Sequence, residues 1–370
     1  MKTRVLFVIT AFNDGGAESI VKDYCVNINR NLFDPAVLLI YNRNDTSNAK
    51  QINSNQIKCY SVYKRWTYVE KFIHRIFGSI LIKKKYKRII NTFKPDVIHV
   101  HQGNLSYLQS CGELLRNKRL FYTCHSVPYR YFKKESELRA AKFLITKYGM
   151  RMIALHNEMK EILNNMFDVS NSLVVYNGID FNKFNVVKES VEELRMKYGI
   201  PKDAFVVGHV GRFHPVKNHL FLVEIFNELC KIKSNAFLFL IGDGELKKTI
   251  IEKLKSYSLY DRALILSNRT DIPQIVKSMD VLTLPSQLEG FPVSVIEAQA
   301  VGKKCLISDR INQECVLTKN VVTLSIDRVS DWVEELLKSY DYQYTKEDIS
   351  KIKSFDIKSI IKFVEHIYSE

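Results

Sequence analysis

The sequence predicts an α/β protein made of two doubly wound parallel-sheet domains in tandem. Short, almost continuously apolar runs recur along the chain, bounded by polar turns. Between them lie longer segments with apolar residues at helical spacing, such as AESIVKDYCVNINR and NHLFLVEIFNELCKIK. The alternation appears twice, with about six strands each time. Strands that lack polar alternation are covered on both faces, the condition of a parallel sheet flanked by helices.

The strand candidates of the first half are residues 4–10, 36–41, 97–101, 120–125, 152–156 and 173–177. Those of the second half are 205–211, 236–242, 263–267, 281–285, 304–308 and 321–325. The rhythm breaks at 178–200, where NGIDFNKFNVVKESVEEL opens on a turn dipeptide and holds no apolar run. The expected division is a first domain over 1–180, a second over 181–352 and a terminal segment over 353–370. Within that segment, Ile357, Ile360, Ile361, Val364 and Ile367 form one face of an amphipathic helix. Either domain can receive that face, a return to the first included. Ligands of such sheets bind beyond the carboxyl ends of the strands, so two facing domains imply a cleft between them.

Composition agrees. At 370 residues with 46% apolar content, the chain supplies two packed cores. Its seven cysteines are scattered without a C-x-x-C pair, which argues against a disulfide framework or zinc site and for a reducing compartment. No apolar run approaches the ~20 residues of a membrane span, and the run within MKTRVLFVIT is too short for a signal-peptide core. A soluble cytoplasmic protein, or one lying on a membrane surface, is expected. The net charge of +15 calls for anionic partners: nucleic acid, phosphorylated small molecules or anionic lipid.

Two stretches concentrate chemistry. In LPSQLEGFPVSVIEAQA (284–300), a strand ends, a loop carries Glu289, and a helix carries Glu297. Pro292 suits the first helical turn, where its missing N–H costs nothing. The free amides near Gly290–Val293, Pro292 having none, would form an anion site with the helix dipole, and the two carboxylates can accept hydrogen bonds from hydroxyls. In GHVGRFHPVKNH (208–219), Arg212 and Lys217 follow a strand ending at Gly211. A planar guanidinium and a point-charge ammonium in one loop suit a diphosphate. His125 stands at a strand's carboxyl end in TCHSVP. His99 and His101 alternate on one strand and so share a face, as core histidines or, for His101, as an acceptor contact. The chain has no D-x-D, no H-E-x-x-H and no cysteine–histidine cluster, so no metal is expected.

These residues, in this order, resemble glycosyltransferase family 4. The resemblance rests on Glu289-x7-Glu297 within EGFPVSVIEAQA and on Arg212 with Lys217. NDGGAE (13–18), VYNGID (175–180), LIGDGE (240–245) and Glu314 agree with it. It implies the GT-B architecture, two tandem Rossmann-like doubly wound parallel-sheet domains facing a central cleft. The first domain would bind acceptor and the second a nucleotide-sugar. It further implies retaining sugar transfer from a nucleotide-diphosphate sugar, UDP-sugar favoured. Carried onto this chain, Arg212 and Lys217 neutralise the diphosphate, Glu297 takes the ribose hydroxyls, and Glu289 holds sugar hydroxyls beside Gly290 and Phe291. Gly15 and Gly16 let the first loop approach donor phosphates or acceptor, and His125 faces the transferred sugar. The family often has His-Asp there; this chain has His125-Ser126. The stretch GHVGRFHPVKNH and the basic N-terminal region look most like bacterial enzymes building capsular, exopolysaccharide or O-antigen chains.

Residues 58–94 hold eleven Lys or Arg and one Glu, with Trp66, Val69, Phe72, Ile73, Ile76, Phe77 and Ile80 as an apolar stripe. That composition suits either a helix on an anionic membrane surface or a core-packing helix with a solvated basic face. A polyprenyl-diphosphate-linked saccharide acceptor, which the resemblance implies, would place the protein on the inner face of the cell membrane. Two other classes fit part of these features. Nucleotide-sugar 2-epimerases share this two-domain architecture without this motif set. A nucleic-acid-binding protein would explain the charge, but no RNA or DNA module is recognisable.

Overall fold

The computed structural model describes residues 2–13, 15–64, 67–339 and 342–370, with the side chains of Val69, Ile73 and Asn185 left out. Trp66 and Asp14, which belong to motifs singled out above, lie outside the described residues. The chain divides into two compact units, one of Met1–Asn177 with Ile357–Glu370, the other of Gly178–Asp356.

The first unit holds a parallel sheet of β1 (Thr3–Ile9), β2 (Phe33–Tyr41), β3 (Lys58–Tyr63), β4 (Val97–His101), β5 (Arg119–Thr123), β6 (Arg151–Ala154) and β7 (Leu173–Val174). Their order is β3-β2-β1-β4-β5-β6-β7. Val5, Leu6, Phe7, Val8 and Ile9 are all fully buried, as a central strand covered on both faces requires. The sequence reading did not include β3. Its KCYSVY run is short, half exposed and opens on a lysine, so it lacks the apolar signature of the inner strands.

The second unit holds β8 (Phe205–Val210), β9 (Ala236–Ile241), β10 (Ala263–Leu266), β11 (Val281–Leu284), β12 (Lys304–Ser308) and β13 (Val321–Leu324). The order is β10-β9-β8-β11-β12-β13, all parallel. Fully buried Trp332, Phe226 and Leu238 lie in its core.

One device recurs in both sheets. Asp96, just before β4, accepts from the Arg4 amide of β1 at 2.7 Å and donates its own amide to the Arg4 carbonyl at 2.8 Å. Asp280, just before β11, does the same with Val206 of β8, at 2.6 and 3.0 Å. Arg195 holds the Asp280 carboxylate at 2.7 Å.

The helix Ile357–Ser369 belongs to the first unit. Its Ile357, Ile360, Ile361, Val364, Ile367 and Tyr368 are buried in a cluster with Phe7, Tyr24 and Phe33. Glu365 accepts from the Asn29 amide at 2.6 Å, and the Tyr368 hydroxyl bonds His99 Nδ1.

The helix Tyr68–Phe93 behaves differently along its length. Ile82, Tyr86, Ile89, Ile90 and Phe93 are buried. In its first half Tyr68 is 86% exposed, Phe72 59%, Ile76 53%, Phe77 55% and Ile80 57%. The sequence left open whether this stripe packs into a core; the visible part of it does not. No helix among the described residues is long and apolar enough to cross a membrane.

Tyr368→Ala removes a fully buried ring from the first unit. It is expected to cost about 3–5 kcal/mol, read as a lower urea midpoint of that unit. The second unit's transition should stay where it is.

Candidate functional site

In the second sheet the order of strands reverses between β8 and β11, and ligands of doubly wound sheets bind at such a switch point. Arg212 and Lys217 follow β8; Glu289 and the helix Val293–Ala300 carrying Glu297 follow β11. The β8–β11 register pairs Val207 with Val281 and Gly208 with Leu282. Beyond that, side chains bridge the two strands. His209 Nδ1 donates to the Thr283 carbonyl at 2.9 Å, and the Thr283 hydroxyl donates to the Gly208 carbonyl at 2.9 Å.

The loop carrying Arg212 is cradled by LIGDGE. Gly211 donates to Ile241 at 2.9 Å, Phe213 to the Asp243 carbonyl at 2.9 Å, and Leu246 to the Phe213 carbonyl at 3.1 Å. A Cβ at Gly242 would lie 2.0 Å from the Gly211 carbonyl oxygen, and one at Gly244 2.4 Å from that of Phe213. Those glycines therefore let one backbone lie on another. The Arg212 side chain is exposed and has no ion-pair partner among the described residues.

Lys217 ends a short turn, Pro215–Lys217, and its Nζ lies 2.6 Å from Glu289 Oε1. The pair is largely desolvated, with side chains 19% and 9% exposed. The Gln287 amide, donating to the Val216 carbonyl at 2.7 Å, ties the two loops together. An ammonium has three N–H donors, so Lys217 can keep Glu289 and still meet an anion. Glu297 is half-buried on its helix.

Two expectations about this loop are corrected. Pro292 caps the helix from outside, and the first helical residue is Val293. The Val293 amide is already taken by the Phe291 carbonyl at 3.0 Å, because the chain turns sharply before entering the helix. The row of free amides is thus shorter than the sequence suggested; the Gly290 amide has no partner among the described residues.

The sequence reading did not single out His209 or His219 within GHVGRFHPVKNH. Both are fully buried, with ring centroids 4.4 Å apart. His209 Nε2 and both nitrogens of His219 have no partner among the described residues. Burial pushes His209 down to about 3 and His219 to about 2, with the nearby Lys217 adding to both.

In the first sheet the switch point falls between β1 and β4. Gly15 caps the helix Gly16–Asn27, and a Cβ there would come 2.5 Å from Glu18 Oε2, whereas one at Gly16 would meet nothing. Buried Glu18, another residue not singled out, accepts from Asn13 Nδ2 at 3.4 Å and Gln102 Nε2 at 3.5 Å, linking the loops after β1 and β4. Gln102, Gly103 and Asn104 all take positive φ, at 55°, 46° and 71°. For two non-glycine residues this is a locally strained turn.

His125, half-buried, follows β5. Its Nε2 lies 2.8 Å from Nδ1 of fully buried His101. His99, 4.1 Å from His101 between ring centroids, has both nitrogens engaged, by Tyr368 and by Thr123 Oγ1 at 2.7 Å. Desolvation lowers all three, His125 to about 3. Among the described residues, no three His, Cys, Asp or Glu group to hold a metal ion.

Two doubly wound units, the second presenting a Lys–Glu pair and an exposed arginine at its switch point, define a glycosyltransferase of GT-B architecture. Residues 14–183 match the family model described as Glycosyltransferase Family 4, and residues 190–351 the one described as Glycosyl transferases group 1. The UDP-Gal:alpha-D-GlcNAc-diphosphoundecaprenol alpha-1,3-galactosyltransferase of Escherichia coli is 31% identical over 265 residues, 67% of this chain and 68% of that one. The N-acetylgalactosamine-N,N'-diacetylbacillosaminyl-diphospho-undecaprenol 4-alpha-N-acetylgalactosaminyltransferase of Campylobacter jejuni is 24% identical over 233 residues, 61% of this chain and 60% of that one. HepE of Anabaena, crystallised with UDP-glucose, shares the fold with a TM-score of 0.80 over 99% of both chains at 18% identity. The chain belongs to glycosyltransferase family 4 and is a hexosyltransferase-type enzyme.

The buried histidines make stability fall in acid. Their native values lie below the ordinary 6.5, so the unfolded chain takes up protons that the native chain refuses. Stability is therefore complete above pH ~6.5 and declines as pH falls toward the native values of about 3 and about 2. His219→Leu should flatten this decline by about 1.4 kcal/mol per pH unit, measured by denaturant titration between pH 4 and 6. An unchanged slope would assign the acid sensitivity elsewhere.

Proposed function

We propose that this enzyme moves a hexose from a nucleotide-diphosphate sugar, with a UDP-sugar favoured, to a polyprenyl-diphosphate-linked saccharide, retaining the anomeric configuration, in surface polysaccharide assembly. The Lys217–Glu289 pair beside exposed Arg212 at the switch point carries this reading. Breaking the sugar–phosphate bond leaves negative charge on the diphosphate, and preorganised cations stabilise it. Arg212 offers a fork of donors to one phosphate, and Lys217 its two remaining N–H groups to the other. Glu289, held in place by Lys217, accepts from hydroxyls of the donor sugar beside Gly290 and Phe291, with Pro292 and Val293 shaping that loop. Glu297 accepts from the ribose. The leaving phosphate oxygen takes the acceptor's proton on the same face that it vacates, so the chain need not supply a covalent nucleophile. Gly15 and Gly16 border the substrate in the first unit, and His125 bonds the transferred sugar. The E. coli and C. jejuni relatives, whose names carry diphosphoundecaprenol acceptors, and the UDP-glucose bound to HepE support acceptor and donor class.

Arg212 and Lys217 do for the diphosphate what a divalent cation does in other transferases, so release of nucleotide from the preferred donor should be insensitive to EDTA. Arg212→Ala is expected to lower kcat at least about 100-fold. Because Arg212 is exposed and makes no ion pair among the described residues, the variant should keep its melting temperature. Glu297→Ala is expected chiefly to raise KM for the donor, about tenfold, since a ribose contact is the same in ground and transition states. Loss of activity on EDTA, or full activity of Arg212→Ala, would defeat the assignment. Mass spectrometry across UDP-, GDP- and ADP-sugars reads the nucleotide release, and thermal unfolding the melting temperature.

The same reading places the enzyme on the cytoplasmic face of an anionic membrane. Tyr68, Phe72, Ile76 and Ile80 recur every four residues on the exposed half of their helix, with Lys71, Arg75, Lys83, Lys84, Lys87 and Arg88 exposed on the same helix. Apolar side chains entering the lipid boundary and lysines meeting its charge are the two parts of interfacial binding. Vesicles containing phosphatidylglycerol should sediment the protein at low salt, and phosphatidylcholine vesicles should not. Phe72→Ser with Phe77→Ser should release it. Failure to sediment at low salt would refute membrane docking without touching the transferase chemistry.

A further inference from the structure

We propose that His101 is a positioning residue that fixes His125 as a neutral hydrogen-bond donor with its proton on Nδ1. The inference rests on the reading of His125 as a contact to the transferred sugar. It starts from a count of protons. His101 Nδ1 and His125 Nε2 are 2.8 Å apart. The ring centroids are 5.1 Å apart and the planes only 26° from parallel. With the nitrogens that close, the rings meet edge to edge in nearly one plane, the geometry of an N–H···N hydrogen bond, rather than face to face. One proton occupies the junction, and two neutral arrangements are open.

If His125 donates from Nε2, His101 accepts at Nδ1 and must carry its own proton on Nε2. That nitrogen is buried and has no partner among the described residues. An orphaned buried N–H is among the rarest features of folded proteins. If instead His101 donates from Nδ1, its Nε2 keeps only a lone pair, and no buried N–H is left unpaired. His125 then accepts at Nε2 and carries its proton on Nδ1. A third arrangement, with either ring protonated, is opposed by the desolvation that lowers both. His99 is excluded from the exchange because Tyr368 and Thr123 engage both of its nitrogens. His125 Nδ1 has no partner among the described residues, so the N–H that His101 forces onto it is the group offered to substrate. His125 works as a donor to a sugar oxygen, not as a base.

The test uses the full chain with ring-15N histidine, His125 being assigned by the signals lost in His125→Gln. Long-range 1H–15N spectra should show His125 protonated at Nδ1 and bare at Nε2. His101→Leu should move that proton toward Nε2 and lower kcat about tenfold, with KM for the donor changed less than about threefold. His101→Asn, whose amide N–H stands where Nδ1–H stood, should restore both the tautomer and most of the rate. A wild-type His125 protonated at Nε2 would overturn the proposal. So would a His101→Leu enzyme with unaltered tautomer, whatever its rate. A fully active His125→Ala enzyme would refute the sugar contact instead, while the spectra would still decide the tautomer.

Discussion

The carboxylates of Asp96 and Asp280 fasten the innermost strands of the two sheets together at one end. Each residue grips the first strand of its sheet through two hydrogen bonds, one accepted by its carboxylate and one donated by its own amide, just where the adjacent strand begins. The strands are thereby aligned at their amino ends and free to diverge at their carboxyl ends. In the second sheet that divergence is visible: after Leu282 the ladder gives way to His209 and Thr283 bridging by side chain and carbonyl. The loops that leave these ends carry Arg212, Lys217 and Glu289, and the helix after β11 carries Glu297. A half-buried interaction at the floor of each sheet thus aligns the strands whose other ends open at the switch point.

Around that opening, the protein keeps charge in matched or suppressed form. Lys217 is desolvated but paired with Glu289; the histidines beneath it are desolvated and neutral. Arg212, by contrast, stands in solvent. In the proposed reading, Lys217 is held by Glu289 before a diphosphate arrives, so that group has little left to reorganise in the reaction. The first unit uses the same economy with different residues: burial keeps His99, His101 and His125 neutral, and their hydrogen bonds rather than their charges organise the loop ends.

Much of this was legible in the sequence. The inner strands are apolar on both faces, so a run such as VIHVH or KCLIS announces itself, and both were placed at their observed limits. Arg212, Lys217, Glu289 and Glu297 are marked by their position just after strands. What escaped depends on tertiary context. The edge strand β3 has neither face fully covered and carries no continuous apolar signal. The engaged amide of Val293 follows from a local turn that propensity does not encode. His209 and His219 lie between the very residues read as functional, yet nothing in the one-dimensional pattern says that their rings point inward. The mixed character of the helix Tyr68–Phe93 was equally hidden, because a stripe of Phe and Ile looks the same whether a core or solvent receives it.

The return of the helix Ile357–Ser369 to the first unit bears on how the chain is made. During synthesis, the first sheet emerges long before the segment that covers Phe7, Tyr24 and Phe33. The second unit, Gly178–Asp356, is contiguous and has its own core, so it can fold as soon as it leaves the ribosome. The first waits with that apolar face uncovered until the second unit has been made, so the order of completion is the reverse of the order of synthesis.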